Sequence, residues 1–304
     1  MGQRMRWVLL LPSAVLVLYT LTLVASGAPH HPPNAERLRE TVSRLTTGEA
    51  GALMAVVVVS VLVLQPLQFA VVRALTGDWG DSLVARVLSW PGLWLHRRRR
   101  STLEAASRTV TDGEPTAERR RSAATAAQLR RVYPPPEDLL PNRLGNALRA
   151  GQSRAGRRYG LEAAVLWPRI YPLLPQRVAG MIDDQRDQLD LCAHFCGVFL
   201  SATLITAGLL APHGVWLILT IPTLLLALLC YQAAVAAAVL FGELLEVAFD
   251  LHRFDLLRAL HLPLPIDRDG ERQTNQLLSR FLLQGRPVNF SYEHAELPTA
   301  DASD

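Results

Sequence analysis

The chain has 304 residues, 31 basic against 27 acidic, and 50% of it is hydrophobic. Every basic residue is Arg, so chemistry that needs Lys is excluded, a Schiff base and a Walker-type phosphate loop among it. Arg forks onto phosphate, but codon usage in a GC-rich genome is the plainer account of an all-Arg composition.

Four uncharged apolar runs stand out: 7–25, 50–72, 191–211 and 215–241. A helix rising about 1.5 Å per residue needs roughly 20 apolar residues to cross about 30 Å of hydrocarbon. A buried helix of a soluble protein is seldom apolar on every face for that long. The expected fold class is therefore an all-α integral membrane protein, with four transmembrane helices and a largely helical cytoplasmic region. Its parts are a first transmembrane pair with an outward loop (1–75), an Arg-rich cytoplasmic region (76–190), a transmembrane hairpin with cytoplasmic extensions (191–262), and a C-terminal helix with a disordered tail from Arg286 (263–304).

Arg4 and Arg6 precede the first run, as in a cytoplasmic n-region. Ser26-Gly27-Ala28 resembles a signal-peptide cleavage site, but the apolar stretch is long for one, and a retained anchor is favoured. In the following loop, Arg37, Arg39 and Arg44 balance Glu36, Glu40 and Glu49. Gln65, Pro66 and Gln68 near the end of the second run read as a packing kink. Arg73, Arg86 and Arg97 to Arg100 follow that run, and Arg253 and Arg258 follow the fourth. By the positive-inside rule both termini and the middle segment face the cytoplasm, which makes this a multi-pass plasma-membrane protein.

Residues 83–95 are amphipathic and carry Trp90 and Trp94, with Trp79 nearby, which suits an interfacial helix whose Arg97–Arg100 block meets anionic headgroups. A nucleic-acid patch is the lesser reading beside a membrane. Residues 101–131 read as one or two polar helices broken near Asp112-Gly113-Glu114-Pro115. Tyr133-Pro134-Pro135-Pro136 then reads as a stiff linker.

The most distinctive segment is 139–175. It reads Leu-Leu-Pro-Asn-Arg-Leu-Gly-Asn-Ala-Leu-Arg-Ala, then Arg-Arg-Tyr-Gly-Leu-Glu, then Trp-Pro-Arg-Ile-Tyr-Pro. It includes Arg143, Arg149, Arg154, Arg157 and Arg158. This segment resembles the cytoplasmic portion of a group of uncharacterised bacterial, actinobacterial-type, four-span membrane proteins. Those proteins also carry a stretch like Phe241-Gly242-Glu243-Leu244 followed by Phe249-Asp250-Leu251-His252-Arg253-Phe254. The resemblance covers most of the chain after Val72 and implies a fold, not an activity. His252 stands where an aromatic Tyr is expected.

The arms of the hairpin are expected to run into the cytoplasm over 178–190 and through Leu260. Asp183, Asp187 and Asp190 share one helix face; Glu243, Glu246 and Asp250 share another. Folding about His213 sets 183 level with 243, and Arg177 near Glu246 and Asp250. Asp183, Asp184, Glu243 and Glu246 then form a candidate site for a divalent cation, the one cofactor such oxygen ligands would suit. Ordinary ion pairing with Arg177, Arg186 and Arg253 is the blander reading. Cys192 and Cys196 share a helix face with His194 on the other, half a zinc site at most.

Three functions fit these features. The first is a membrane-anchored regulatory or scaffolding protein that binds a cytoplasmic partner or anionic ligand through Arg143, Arg149, Arg157 and Arg158. The second is an oligomeric channel or transporter with Gln65, Gln68 and Gln232 as polar contacts. The third is a metal-dependent membrane enzyme. No catalytic residue is assigned, and the spans hold no Asp, Glu or Arg. Expected partners are the bilayer and its anionic headgroups, a cytoplasmic protein, or a second copy of the chain.

Overall fold

The computed structural model describes residues 3–77, 79–80, 83–108, 117–285 and 287–293. Of the side chains in those ranges, 3–10, 64–69, 83–84, 108 and 118–119 are not described. The side chains of Gln65 and Gln68, the break at 112–115 and the end of the tail therefore lie outside the described residues.

All described elements are helical. They run α1 (Gln3–Ala25), α2 (Ala35–Ser43), α3 (Thr47–Thr76), α4 (Leu83–Arg108), α5 (Ala117–Val132), α6 (Arg143–Arg154), α7 (Ala163–Ile170), α8 (Gln176–Leu210), α9 (Thr220–Ala259) and α10 (Arg268–Gln284). Short polar residues set several boundaries by satisfying the free N–H groups of a first turn. Asn34 caps α2, Thr46 and Glu49 form a reciprocal capping box on α3, and Asp267 caps α10. Asn142 caps α6 and also donates to the Ala74 carbonyl at 3.3 Å, tying the end of α3 to the start of α6. α2 was not expected, since the first loop is read for its balanced charges alone.

The central unit is the α8/α9 hairpin. Helical character is continuous from Gln176 to Ala259, with a mean hydropathy of 2.4 in its most apolar window. The chain reverses at His213 and Gly214, whose backbones leave the helical region, Gly214 at φ 31°. The Thr203 hydroxyl donates to Thr223 at 3.0 Å, and these two residues lie equidistant from His213. That is the expected register. Small buried residues at the seam, Ala193, Cys196, Ala202, Ala227, Ala234 and Ala238, let the two backbones approach closely.

By length and hydropathy this run is the candidate membrane span among the described residues. α2 with the first part of α3 qualifies only across a 113° bend, and α1 contributes a shorter apolar stretch, Leu11–Ala25. Both α1 and α3 lean on the hairpin. Tyr19 bonds Thr206 at 2.7 Å, and at Gly197 an added Cβ would lie 2.4 Å from Val71 Cγ1. The His213 ring meets the Pro29 carbonyl at 2.7 Å, holding the loop after α1 over the turn.

At the other end of the hairpin, α6, α7 and α10 wrap the last turns of α9. Leu166, Ile170, Phe249, Leu256, Leu257 and Leu278 form the core there. α6 crosses α9 with Gly151 against Gly242, so close that an added Cβ on Gly151 would sit 2.5 Å from the Gly242 Cα. The chain after α10 is packed at least to Glu293, whose N–H donates to the His261 carbonyl at 2.8 Å, and Phe290 meets Phe281 edge-on. The tail expected to be disordered from Arg286 is therefore held in place over 287–293.

Candidate functional site

α4 is one helix that carries its apolar face directly into the Arg block. Val87, Leu88, Trp90 and Trp94 are exposed, and two turns later Arg100 turns inward. Buried His96 pins the helix by contact of Nδ1 with the Tyr133 hydroxyl at 3.2 Å. Burial, with Arg99 and Arg143 adding, holds the His96 pKa below its ordinary value. The Tyr133–Pro136 stretch is thus no free linker. Tyr133 and Pro134 are buried, and Arg100 Nε donates to the Pro134 carbonyl at 3.3 Å. Fixed φ angles make such a run a rigid wall.

That wall closes one side of a cavity of about 800 Å³. Arg100 enters it from α4, Arg130 and Arg131 from α5, Arg154 from the end of α6, Arg157 and Arg158 from the turn that follows, and Arg272 from α10. Glu246 of α9 is the one carboxylate on the lining among the described residues. The remaining surface is Tyr133, Pro134 to Pro136, Ala127, Leu129 and Ser153.

Several guanidinium groups have partners behind the wall. Arg100 pairs with Glu104 at 3.2 Å, Arg131 with Glu243 at 3.1 Å and Arg157 with Glu137 at 3.4 Å. Arg158 grips Glu246 and reaches Asp250 at 3.6 Å. Burial works against the charge of Arg158, but Asp250 and Glu246 outweigh it and raise its pKa. Arg154 is held harder: Nη1 donates to the Arg130 carbonyl at 3.1 Å, and Nε lies 3.5 Å from Glu246. Its Nε and Nη2 are buried and make no hydrogen bond, and burial lowers its pKa despite Glu246 and Glu243. Buried N–H groups without acceptors each cost about 1–3 kcal/mol, more on a charged group. Asp250 Oδ1, beside Arg158, is likewise buried without a hydrogen bond, so the cluster holds unpaired donors on Arg154 and one unpaired acceptor.

Of the four expected ligand-binding arginines, the structure brings together Arg157 and Arg158. Arg143 points elsewhere, donating to Gln232 at 3.2 Å, and Arg149 is exposed and off the cavity. Arg154 stood out in the sequence segment but not as a ligand. Arg100, Arg130, Arg131 and Arg272 were missed, because they lie in other segments and only the packing of α4, α5 and α10 assembles them.

The expected cation site does not form among the described residues. Asp183 accepts from the Tyr171 hydroxyl at 2.9 and 2.7 Å, Glu243 is taken by Arg131, and Glu246 by Arg154 and Arg158. Asp184 does not join them: among the described residues no group of three His, Cys, Asp or Glu is placed to hold a metal. Arg177 was expected beside Glu246 and Asp250, but Arg154 and Arg158 occupy that place. Arg186 pairs with Asp190 and Arg253 with Glu271, as local ion pairing would have it. Comparison with known proteins gives no match to a family model, a curated protein or a solved structure.

Proposed function

We propose that this is a membrane-anchored regulatory or scaffolding protein whose cytoplasmic helical module binds an anionic ligand in the Arg pocket. The reading rests on one cavity lined, among the described residues, by seven Arg side chains and a single carboxylate. Like charges gathered around one cavity repel one another, and an anion relieves that repulsion while supplying acceptors to Arg154. Of the acids that would serve catalysis or a metal, Glu243 and Glu246 are engaged in ion pairs and Asp183 accepts from Tyr171, which speaks for binding over turnover.

The four-span topology with cytoplasmic termini, and membership of the four-span group, belong to the same proposal. The apolar hairpin supports it, as do the exposed Met54, Val59, Leu62 and Val63 of α3 and Leu225 and Leu229 of α9, large apolar side chains of a kind that lipid would cover. On this reading the α9 segment from Glu243 to Ala259 projects below the bilayer. The pocket then lies within a few turns of the inner membrane surface.

The test is thermal unfolding of the full chain in detergent, at constant ionic strength, with phosphate, pyrophosphate, sulfate and nucleotides. A ligand at a hundred times its dissociation constant stabilises by about 2.7 kcal/mol. Stabilisation by at least one anion over chloride, reduced in Arg157→Gln, supports the reading. An equal response to all anions, or one indifferent to Arg157, removes it.

A further inference from the structure

We propose that the pocket takes a phosphate monoester carrying two negative charges; this rests on the anion-binding reading and narrows it. Charge sets the first constraint. Seven guanidinium groups line the cavity. Among the described residues five carboxylates pair with them: Glu104, Glu137, Glu243, Glu246 and Asp250. The two positive charges left over sit on identified residues, because Arg130 and Arg272 line the cavity and have no ion pair among the described residues. A phosphate monoester carries about −1.5 to −2 near pH 7. A phosphodiester or a single carboxylate supplies only one negative charge.

Donor geometry sets the second. The guanidinium groups converge from α4, α5, α6, the turn at 157–158 and α10, so they approach a bound anion from several directions. A monoester presents three terminal oxygens, each able to accept more than one charge-assisted hydrogen bond, and Arg matches them with a planar fork. Arg154 already holds two buried donors without acceptors.

Volume sets the third. About 800 Å³ exceeds what phosphate alone fills and sits within the roughly 300–1,000 Å³ of small-molecule sites. Tyr133, Pro134, Pro135, Ala127 and Leu129 give the organic part of the ester an apolar wall. A lipid headgroup and a soluble ester both present this chemistry, and α4, with its exposed Trp90 and Trp94, leads from a surface suited to lipid into the pocket.

The experiment is calorimetric titration of the detergent-purified full chain with glycerol 3-phosphate, dioctanoyl phosphatidic acid and dioctanoyl phosphatidylglycerol at equal ionic strength. Saturable binding of either monoester, with the phosphatidylglycerol diester at least tenfold weaker, supports the proposal. Binding of glycerol 3-phosphate makes a soluble ester sufficient, and binding of phosphatidic acid alone assigns the source to the membrane. Supported binding must fall about tenfold or more in the Arg130→Gln/Arg272→Gln double variant. Both positions are exposed and free of ion pairs among the described residues, so the variant should keep the parent unfolding temperature. Binding must also weaken from pH 7.5 to pH 5, because the monoester takes up its second proton near pH 6 while Arg stays charged. Equal or tighter binding of phosphatidylglycerol, or affinity indifferent to pH, overturns the dianion proposal and leaves the anion pocket standing. No binding by any of the three overturns the monoester proposal, and the response to the phosphate, pyrophosphate, sulfate and nucleotide panel then decides the anion pocket by itself.

Discussion

The crossing of α6 over α9 at Gly151 and Gly242 couples stability to the site, and a single methyl group tests it. A Cβ on Gly151 would lie 2.5 Å from the Gly242 Cα and 3.5 Å from its nitrogen. The first distance falls about 1 Å short of van der Waals contact, and its partner is helix backbone that cannot rotate away. Gly151→Ala must therefore push α6 off α9. Overpacking of this kind costs about 1–3 kcal/mol, and the better helix propensity of Ala returns at most about 1 kcal/mol. The net loss is on the order of 1–2 kcal/mol, or roughly 2–8 °C in a chain of this size.

Gly180 in α8 is the control, because a Cβ there meets nothing within 4 Å. Gly180→Ala should gain up to about 1 kcal/mol from propensity alone. Arg154 ends α6 one turn beyond Gly151, so the displacement in Gly151→Ala should also weaken anion binding, whereas Gly180→Ala should not. The assay is thermal unfolding of both variants in one detergent, followed by anion titration. A Gly151→Ala protein as stable as the parent, with unchanged binding, would refute the close crossing and its link to the pocket.

Three further outcomes rest on individual side chains. Asn146 is fully buried, accepting from the Leu140 N–H at 2.8 Å and donating to the Leu140 carbonyl at 2.9 Å, so Asn146→Ala should cost about 1–3 kcal/mol in chemical or thermal unfolding. Because His96 has a folded pKa below its unfolded value of about 6.5, the unfolded chain binds the extra proton first. Stability should hold above about pH 6.5 and fall as pH drops below it. His96→Gln should flatten that dependence in unfolding curves taken between about pH 7.5 and 5.5. Asp183→Asn should leave the response to Mg²⁺, Ca²⁺ and Mn²⁺ unchanged, because Tyr171 rather than a cation partners that carboxylate; a cation-induced shift lost in the variant would restore the metal reading.

The hairpin was legible because its signals are local and strong: two long apolar runs, a short break at Pro212-His213-Gly214, and no Gly or Pro between Gly180 and Asp190 or between Gly242 and Leu260. The same arithmetic set the register seen at Thr203 and Thr223. Spacing also placed the two carboxylate faces, but not what meets them. Arg154 and Arg158 reach Glu246 from a segment 88 or more residues away, and no pattern along the chain announces that contact. The pocket was half visible for the same reason. Arg157 and Arg158 stood in a recognisable Arg-rich stretch, whereas Arg272 arrives with α10 and Arg100 with α4. Tyr133-Pro134-Pro135-Pro136 misled because stiffness reads as a linker in sequence, yet a stiff segment makes an equally good wall once His96 and Arg100 hold it. α2 escaped notice because its apolar stripe, Ala35, Leu38 and Val42, spans barely two turns, and its Asn34 cap is a weak signal beside two charged turns.

Whether the Arg pocket holds an anion is decided by locating one there. A crystal of the full chain soaked in tungstate, a heavy stand-in for phosphate, gives anomalous density wherever an oxyanion is held. The expected result is a peak inside the cavity, within hydrogen-bond distance of Arg154 and of Arg130 or Arg272, that is lost in Arg130→Gln/Arg272→Gln. Peaks confined to the exposed Arg97–Arg99 stretch, with an empty cavity at saturating tungstate, would contradict it.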